Sequence, residues 1–474
     1  MTGTSKLGAA VGVGAAVALT IGAVMVTSQP HRAAANREDP SGFSPSSVPL
    51  ARAGGATRQA SFQDFVAGAR AAAAPTVDKA QSKLWYAENA WWGVLIDSKT
   101  QAFRIHRLDW ASQVWHDTGT VIDERPFSTA DVLWDGTHLY VATAGSAPYL
   151  RDAARLLRFT WDGAHTRWAL DKGFPVALTR TGVGTLVIDR DSTGKLWISY
   201  LDGGRLTINR SVGSDTKWGT PFVIPPAQAA PAAARALLLA AGKTIAVLWS
   251  NSAENSISLA VHHDGRPDDE WDPRQTILTG FKAADDHLSA KAVDDDGEVT
   301  LYVALKTSLD TVAQPKRADP QVLLLKVRLD GTVTRYLYGR VSDHHTRPVV
   351  LVDPETRDLF VVATSPFGGG EIYYKRTSLD NVSFTPGLGI PLIQSDIDRF
   401  VNDATSTKQA LTRQSGLVVV AFDSTTGRYL HGTIDLGGVG WAAAARTGGE
   451  PATASAPPTP SPASSGSGRP ASGG

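Results

Sequence analysis

VLWDGTHLYVAT, residues 132–143, decides the fold of this chain. It reads as a β-hairpin. Asp135 and Gly136 supply the positive φ that a tight strand connection needs. The run that follows, from Leu139, is apolar at nearly every position and suits a strand covered on both faces. That second run recurs as WGVLID at Trp92, LYVAT at Leu139, LWISY at Leu196, IAVLW at Ile245, LYVAL at Leu301, LFVVAT at Leu359 and LVVVAF at Leu417. Hairpin turns such as DSTGK at Asp191 and DDDGE at Asp294 precede most copies. The first residues of successive copies lie between 47 and 58 positions apart, a loose but sustained period.

Each apolar strand is followed by an alternating one, as in FRIHRL at Phe103, LTINR at Leu206, ISLAV at Ile257 and IYYKR at Ile372. A turn then runs from an Asp to an aromatic residue, as in 109–115, 162–168, 264–271 and 330–336. A unit of about 50 residues with four short strands cannot cover both faces of its own sheet, whereas radial stacking buries every sheet between two neighbours. The expected fold is therefore all-β, a seven-bladed β-propeller over residues 77–446. Six or eight blades are the neighbouring alternatives, because the first and last units are the least regular.

The 46 Lys and Arg residues balance 46 Asp and Glu, and no basic run occurs, which argues against a nucleic-acid partner. The chain has no cysteine, so thiolate catalysis, disulfides and Cys-bound zinc or iron–sulfur clusters are excluded. Residues 7–26 form an uninterrupted apolar and small-residue run behind Lys6, read as an export signal or a membrane-anchor helix within residues 1–27. An A-x-A site at 33–35 keeps cleavage open, so the exported protein is either released or membrane-anchored. Residues 28–76 read as a spacer, with SFQDFVAGARAAAA as a short helix over 61–74 that Ser61 caps and whose Phe62, Phe65 and Val66 share one face. Residues 447–474, rich in Pro, Ser, Ala and Gly, read as a disordered tail.

The turn SVGSDTKW, 211–218, has the eight-residue frame of the Asp box of sialidase-type propellers, with Gly213 and Asp215 interchanged. With WWGVLID, DSTGKLWISY, GSDTKWGTPFV and NDATSTKQ, it makes the body resemble secreted bacterial, actinobacterial-type sialidase-like or BNR-repeat propeller proteins over most of residues 80–440. That resemblance implies export and a propeller. It does not carry sialidase chemistry, which needs three convergent arginines and a Tyr paired with Glu. The candidates for those roles, Arg104, Arg180 and Arg347, and Glu371 near Tyr373 and Tyr374, are scattered in the sequence.

In a propeller, the connections from the outer strand of one blade to the inner strand of the next gather around one mouth of the central channel. KAADDHLS, RVSDHHTRP and QSDIDRFVNDATS are three such connections. They bring Asp285, Asp286, His287, Asp343, His344, His345, Arg347, Asn402 and Asp403 to one mouth, with Lys291 and Lys408 further down the channel. Two chemistries fit. His287, His345 and Asp403, with Asp286, are candidate ligands of a divalent zinc, manganese or iron ion, although no cofactor is evident. Alternatively His287, His345, Asp286, Asp403 and Arg347 act as acid, base or clamp on a sugar or uronate. The ordinary alternative is a solvated polar loop. The leading functional expectation is an exported module that binds an extracellular glycan or an envelope protein at this mouth, tethered by the N-terminal helix if that is uncleaved. The competing one is a carbohydrate-active hydrolase or lyase.

Overall fold

The computed structural model describes residues 59–437 except 68–74, 78–79, 126, 146–151, 228–234, 367–369 and 398–399. The N-terminal apolar run and the C-terminal tail lie outside the described residues. Among those described there is no α-helix, and none long and apolar enough to cross a membrane. Seven antiparallel sheets make up the chain, each a blade with one edge strand against the channel. The inner strands are Leu84–Ala87, Ser128–Trp134, Gly184–Arg190, Arg235–Ala240, Leu288–Asp295, Thr346–Asp353 and Val401–Thr405. The second strands carry the recurring apolar runs. Ala90–Ile96, Thr244–Asn251 and Leu417–Asp423 are buried at every residue, because each is covered by a neighbouring sheet on both sides. Fourth strands face water on one side, and Val114–Asp123 accordingly mixes buried and exposed positions.

Two of the turns that close on an aromatic residue, 211–218 and 264–271, staple neighbouring blades. Asp215 accepts from Tyr140 Oη (2.7 Å) and Arg158 Nη1 (2.7 Å) of the second blade, while Trp218 Nε1 donates to the Asp215 carbonyl (3.0 Å). One blade on, Asp268 accepts from Lys195 Nζ (2.5 Å) and Arg210 Nε (2.5 Å) of the third blade, and Trp271 Nε1 donates to the Asp268 carbonyl (3.0 Å). The indole rigidifies the turn, and the turn holds a carboxylate against an arginine on the preceding blade's third strand.

One segment differs from the sequence reading. The helix expected from Ser61 is a strand, Gln59–Val66, and residues 68–74 of that span lie outside the described residues. It is the outermost strand of the seventh sheet, with Phe62 opposite His431 and Gln59 opposite Ile434. The propeller thus begins before residue 77, and its two chain ends close one blade. The physical reason is the edge of Arg428–Ile434, whose outward backbone groups take partners from this strand instead of water. A buried Asp64 joins it, hydrogen-bonded to His431 Nδ1 at 2.8 Å, and Phe62 stacks on the same ring. Residues 80–83 belong to the propeller, as the expected span 77–446 has it. They lie in the channel, where Gln81 Nε2 donates to Leu186 O (2.7 Å) and the Lys83 backbone to Ser406 O (3.2 Å).

Candidate functional site

The inner strands all enter the channel from the same end, so their first residues form its rim. Three of them carry the same irregularity there. Gly184 and Val187 face Leu201 and Ser199, Thr346 and Val349 face Thr364 and Val362, and Asn402 and Thr405 face Phe422 and Val420. In each case three steps on the inner strand oppose two on its neighbour. Each bulge holds a non-glycine residue in the left-handed region: Thr185 at φ 24°, Arg347 at φ 53° and Asp403 at φ 57°. Such backbone is unfavourable for these residues and is found where a strand end re-aims a side chain.

The blades between complete an arc. Arg235, first residue of the fourth inner strand, donates to Thr185 Oγ1 on one side and to the Asp286 carbonyl (3.0 Å) on the other. His287 Nδ1 lies 2.5 Å from Asp285 Oδ1 and 2.8 Å from Asp286 Oδ1. Lys306 Nζ bonds Asp285 Oδ2 and Asp310 Oδ1, both at 2.9 Å. Further round, Arg347 Nε bonds Asp403 Oδ1 at 2.8 Å and ties the sixth blade to the seventh. Burial opposes the charge on His287, but the hydrogen bonds and charges of Asp285 and Asp286 outweigh it and raise the imidazole pKa above its ordinary value. The hydrogen bond from His287 in turn holds the Asp286 carboxyl well below the usual carboxylate range, and Arg235 adds to this.

Asp285, Asp286 and His287 are therefore brought together, with ligand atoms within 4.8 Å of one another. Arg347 and Asp403 form a second cluster of the same rim. His345 does not join either. It is wholly buried, donates from Nε2 to the Leu388 carbonyl (2.9 Å) and packs on Tyr338 with ring centroids 4.9 Å apart. Gly339 makes this place, since a β-carbon there would stand 2.3 Å from His345 Nδ1. Burial, with Lys375 nearby, pushes the imidazole pKa down to about 4. Asp343 is a structural group as well. It closes the short 3-10 turn Val341–Asp343 by accepting the Arg340 backbone N–H (2.8 Å), and His344 follows it in the left-handed conformation. Asn402 sits beside Asp403, and its Oδ1 is buried with no hydrogen-bond partner among the described residues. Lys291 and Lys408 lie inside the channel toward the strands' far ends, Lys291 bonded to Thr407 O (2.6 Å) and Lys408 to Asp131 Oδ2 (2.5 Å).

The sialidase groups do not converge. Arg104 pairs with Asp117 on an outer strand, Arg180 lines a groove beside the third blade, and Arg347 is on the rim. Tyr373 Oη donates to Glu371 Oε2 (2.9 Å), yet on the third strand of the sixth blade rather than at the channel. Sequence reading missed Thr185, Arg235, Lys306 and Asp310. An arginine opening the fourth inner strand was the one legible signal. It also passed over Phe281, the most exposed large apolar residue described (73%), on the loop that carries Asp285, Asp286 and His287.

No protein-family model matches this chain, and no curated protein matches its sequence. Similar solved structures include an ulvan lyase of a new polysaccharide lyase family, with 10% identity and a TM-score of 0.48 over 79% of this chain and 95% of that one. Another is the α-L-arabinofuranosidase Arb93A of Fusarium graminearum, with 9% identity and a TM-score of 0.43 over 68% and 98%. The NanB sialidase of Streptococcus pneumoniae shows 14% identity and a TM-score of 0.32 over 61% and 48%. Each of these three is named for an activity on carbohydrate.

Proposed function

We propose that this protein is a carbohydrate-binding propeller whose ligand sits on the arc from Thr185 to Asp403. The observation that supports it is the paired but rim-placed charge. Arg235, His287, Lys306 and Arg347 are paired with Asp285, Asp286, Asp310 and Asp403, so these residues of the arc offer donors and acceptors of both signs in equal number. Such a surface suits neutral, hydroxyl-rich sugar rings better than a polyanion, and the exposed Phe281 supplies a flat apolar platform at its edge. The saturated carboxylates argue against a divalent metal at Asp285, Asp286 and His287. The ion would have to displace Lys306 and Arg235 and strip a proton that two carboxylates hold on the imidazole. With the export that residues 7–26 imply, the ligand is an extracellular or envelope glycan, and an envelope protein is the other partner to be tested.

A glycan microarray probed with the full chain tests this. Binding to a set of neutral oligosaccharides is expected, falling at least about tenfold in the Arg235→Ala/His287→Ala variant, as loss of charge-assisted hydrogen bonds of about 1.5–3 kcal/mol requires. No glycan bound, or equal binding by the variant, would contradict the reading.

One observation supports catalysis as a second reading. Asp285 and Asp286 both hold Nδ1 of His287, the orientation in which a histidine moves a proton at Nε2. Cleavage of a bound oligosaccharide by the parent, lost in His287→Gln while binding persists, would move the protein to the enzymes.

A further inference from the structure

The third blade differs from the others at its outer side. Among the described residues its sheet has only the strands Gly184–Arg190, Leu196–Asp202 and Arg205–Arg210, and the segment that follows touches it through the isolated bridges Ile208–Phe222 and Ser211–Trp218. In the fourth blade the corresponding place is filled. Trp249 faces Ser258 there as Tyr200 faces Thr207 here, and Arg274, just before the fourth strand Gln275–Thr279, lies over the Trp249 ring (5.7 Å) and donates from Nε to Ser258 Oγ (2.9 Å). Without a regular fourth strand, the third blade keeps a groove of about 770 Å³, a size that suits a small oligosaccharide.

One face of the hairpin lines this groove in ranks. Asp202 and Arg205 stand opposite each other next to the turn, Tyr200 and Thr207 come next, and Asn209, two residues further along the strand, faces the same way. Tyr200, Thr207 and Asn209 are more than nine-tenths buried, yet their polar heads are not used up. Asn209 Oδ1 accepts the Arg210 backbone N–H (2.9 Å), while neither Asn209 Nδ2 nor Tyr200 Oη has a hydrogen-bond partner among the described residues. Burial, with Asp202 nearby, pushes the Tyr200 pKa up to about 12, so the phenol keeps its proton as a donor. Buried polar groups are nearly always paired, so whatever fills the groove must satisfy these heads. At the mouth, Arg180 from the loop between the second and third blades joins Arg205 and Asp202. All three are exposed, and none is in an ion pair with a described residue.

We propose that this groove binds a uronate oligosaccharide, with ring hydroxyls on Tyr200, Thr207 and Asn209 and carboxylates at the mouth on Arg180 and Arg205. Hydroxyl and amide heads both give and accept hydrogen bonds, as ring hydroxyls do, and an unpaired guanidinium offers the planar fork that matches a carboxylate. Asp202 adds an acceptor for a hydroxyl beside them. At the rim, by contrast, Arg235 and Arg347 already hold Asp286 and Asp403. The groove shares no residue with the rim arc and stands whether or not that arc binds glycan.

Calorimetric titration of the full chain with trimers of galacturonate and of glucuronate tests the site. At least one trimer should bind, and its methyl ester, which keeps the ring hydroxyls and loses the charges, should bind at least about tenfold more weakly. The Arg180→Gln/Arg205→Gln variant, altered at two exposed positions, should show a loss of the same size. The rim variant Arg235→Ala/His287→Ala should bind the trimer as the parent does, which separates this site from the rim reading. No heat with either trimer, equal binding of the ester, unchanged binding in Arg180→Gln/Arg205→Gln, or loss in the rim variant would overturn the proposal. Inorganic sulfate that displaces the trimer at equal concentration would reduce the groove to a bare anion site and overturn it as well.

Discussion

DDHLS at 285–289 and SDHHTRP at 342–348 occupy the same place in consecutive blades, and each sets Asp beside His where an inner strand begins. Their imidazoles have opposite fates. His287 stays at the rim, a third charge between two carboxylates with arginine and lysine behind them. His345 turns away into the blade, under the Leu388 carbonyl and against Tyr338. The difference lies in the backbone before each residue. The 3-10 turn Val341–Asp343 and left-handed His344 swing the sixth-blade loop so that its second histidine points inward, and Gly339 leaves the space. A charged motif at a channel mouth is therefore not in itself a site. It stays a candidate only where its neighbours leave it facing the rim.

Mutation separates the two histidines. His345→Ala removes a wholly buried ring and orphans the Leu388 carbonyl, so denaturant unfolding should show a loss of about 3–4 kcal/mol. A loss below about 1 kcal/mol would mean that the ring is not a core group.

Acid should act on the same histidine with a slightly smaller effect. Folded His345 stays neutral down to about pH 4, whereas the unfolded ring titrates near its ordinary value of 6.5. Between these values the unfolded chain binds the extra proton. Stability present above pH 6.5 is then lost as pH falls toward 4, by at most about 3 kcal/mol from this group. Unfolding curves at pH 7, 5.5 and 4.5 check it, and the slope should flatten in His345→Phe.

The smallest effect belongs to the rim. His287→Ala leaves Lys306 on Asp285 and Arg235 on Asp286, so stability should change by less than about 1 kcal/mol. A rim histidine as costly to remove as His345 would erase the distinction between the two loops.

Much of the frame was legible because it rests on local pattern. The apolar second strands repeat with the blades, and so do the turns that close on an aromatic residue. The closing strand was not. SFQDFV carries a capping serine and apolar residues that fit a helix face as well as an edge strand, and what decides is the open edge of Arg428–Ile434, far along the chain. The candidate site was half legible for a similar reason. Sequence places Asp285, Asp286, His287, Arg347 and Asp403 at one mouth, and the structure keeps them there. The burial of His345 depends on a carbonyl 43 residues away. The bulges at Thr185, Arg347 and Asp403 depend on pairing with the next strand. Neither leaves a mark in the local sequence.

The most direct test of the division between the two loops is an NMR titration of the histidine ring protons, assigned through His287→Gln and His345→Gln. His287 is expected to titrate above 6.5, held charged by Asp285 and Asp286, and His345 to stay neutral until the pH nears 4. Two rings titrating together near 6.5, or His345 gaining its proton first, would contradict it.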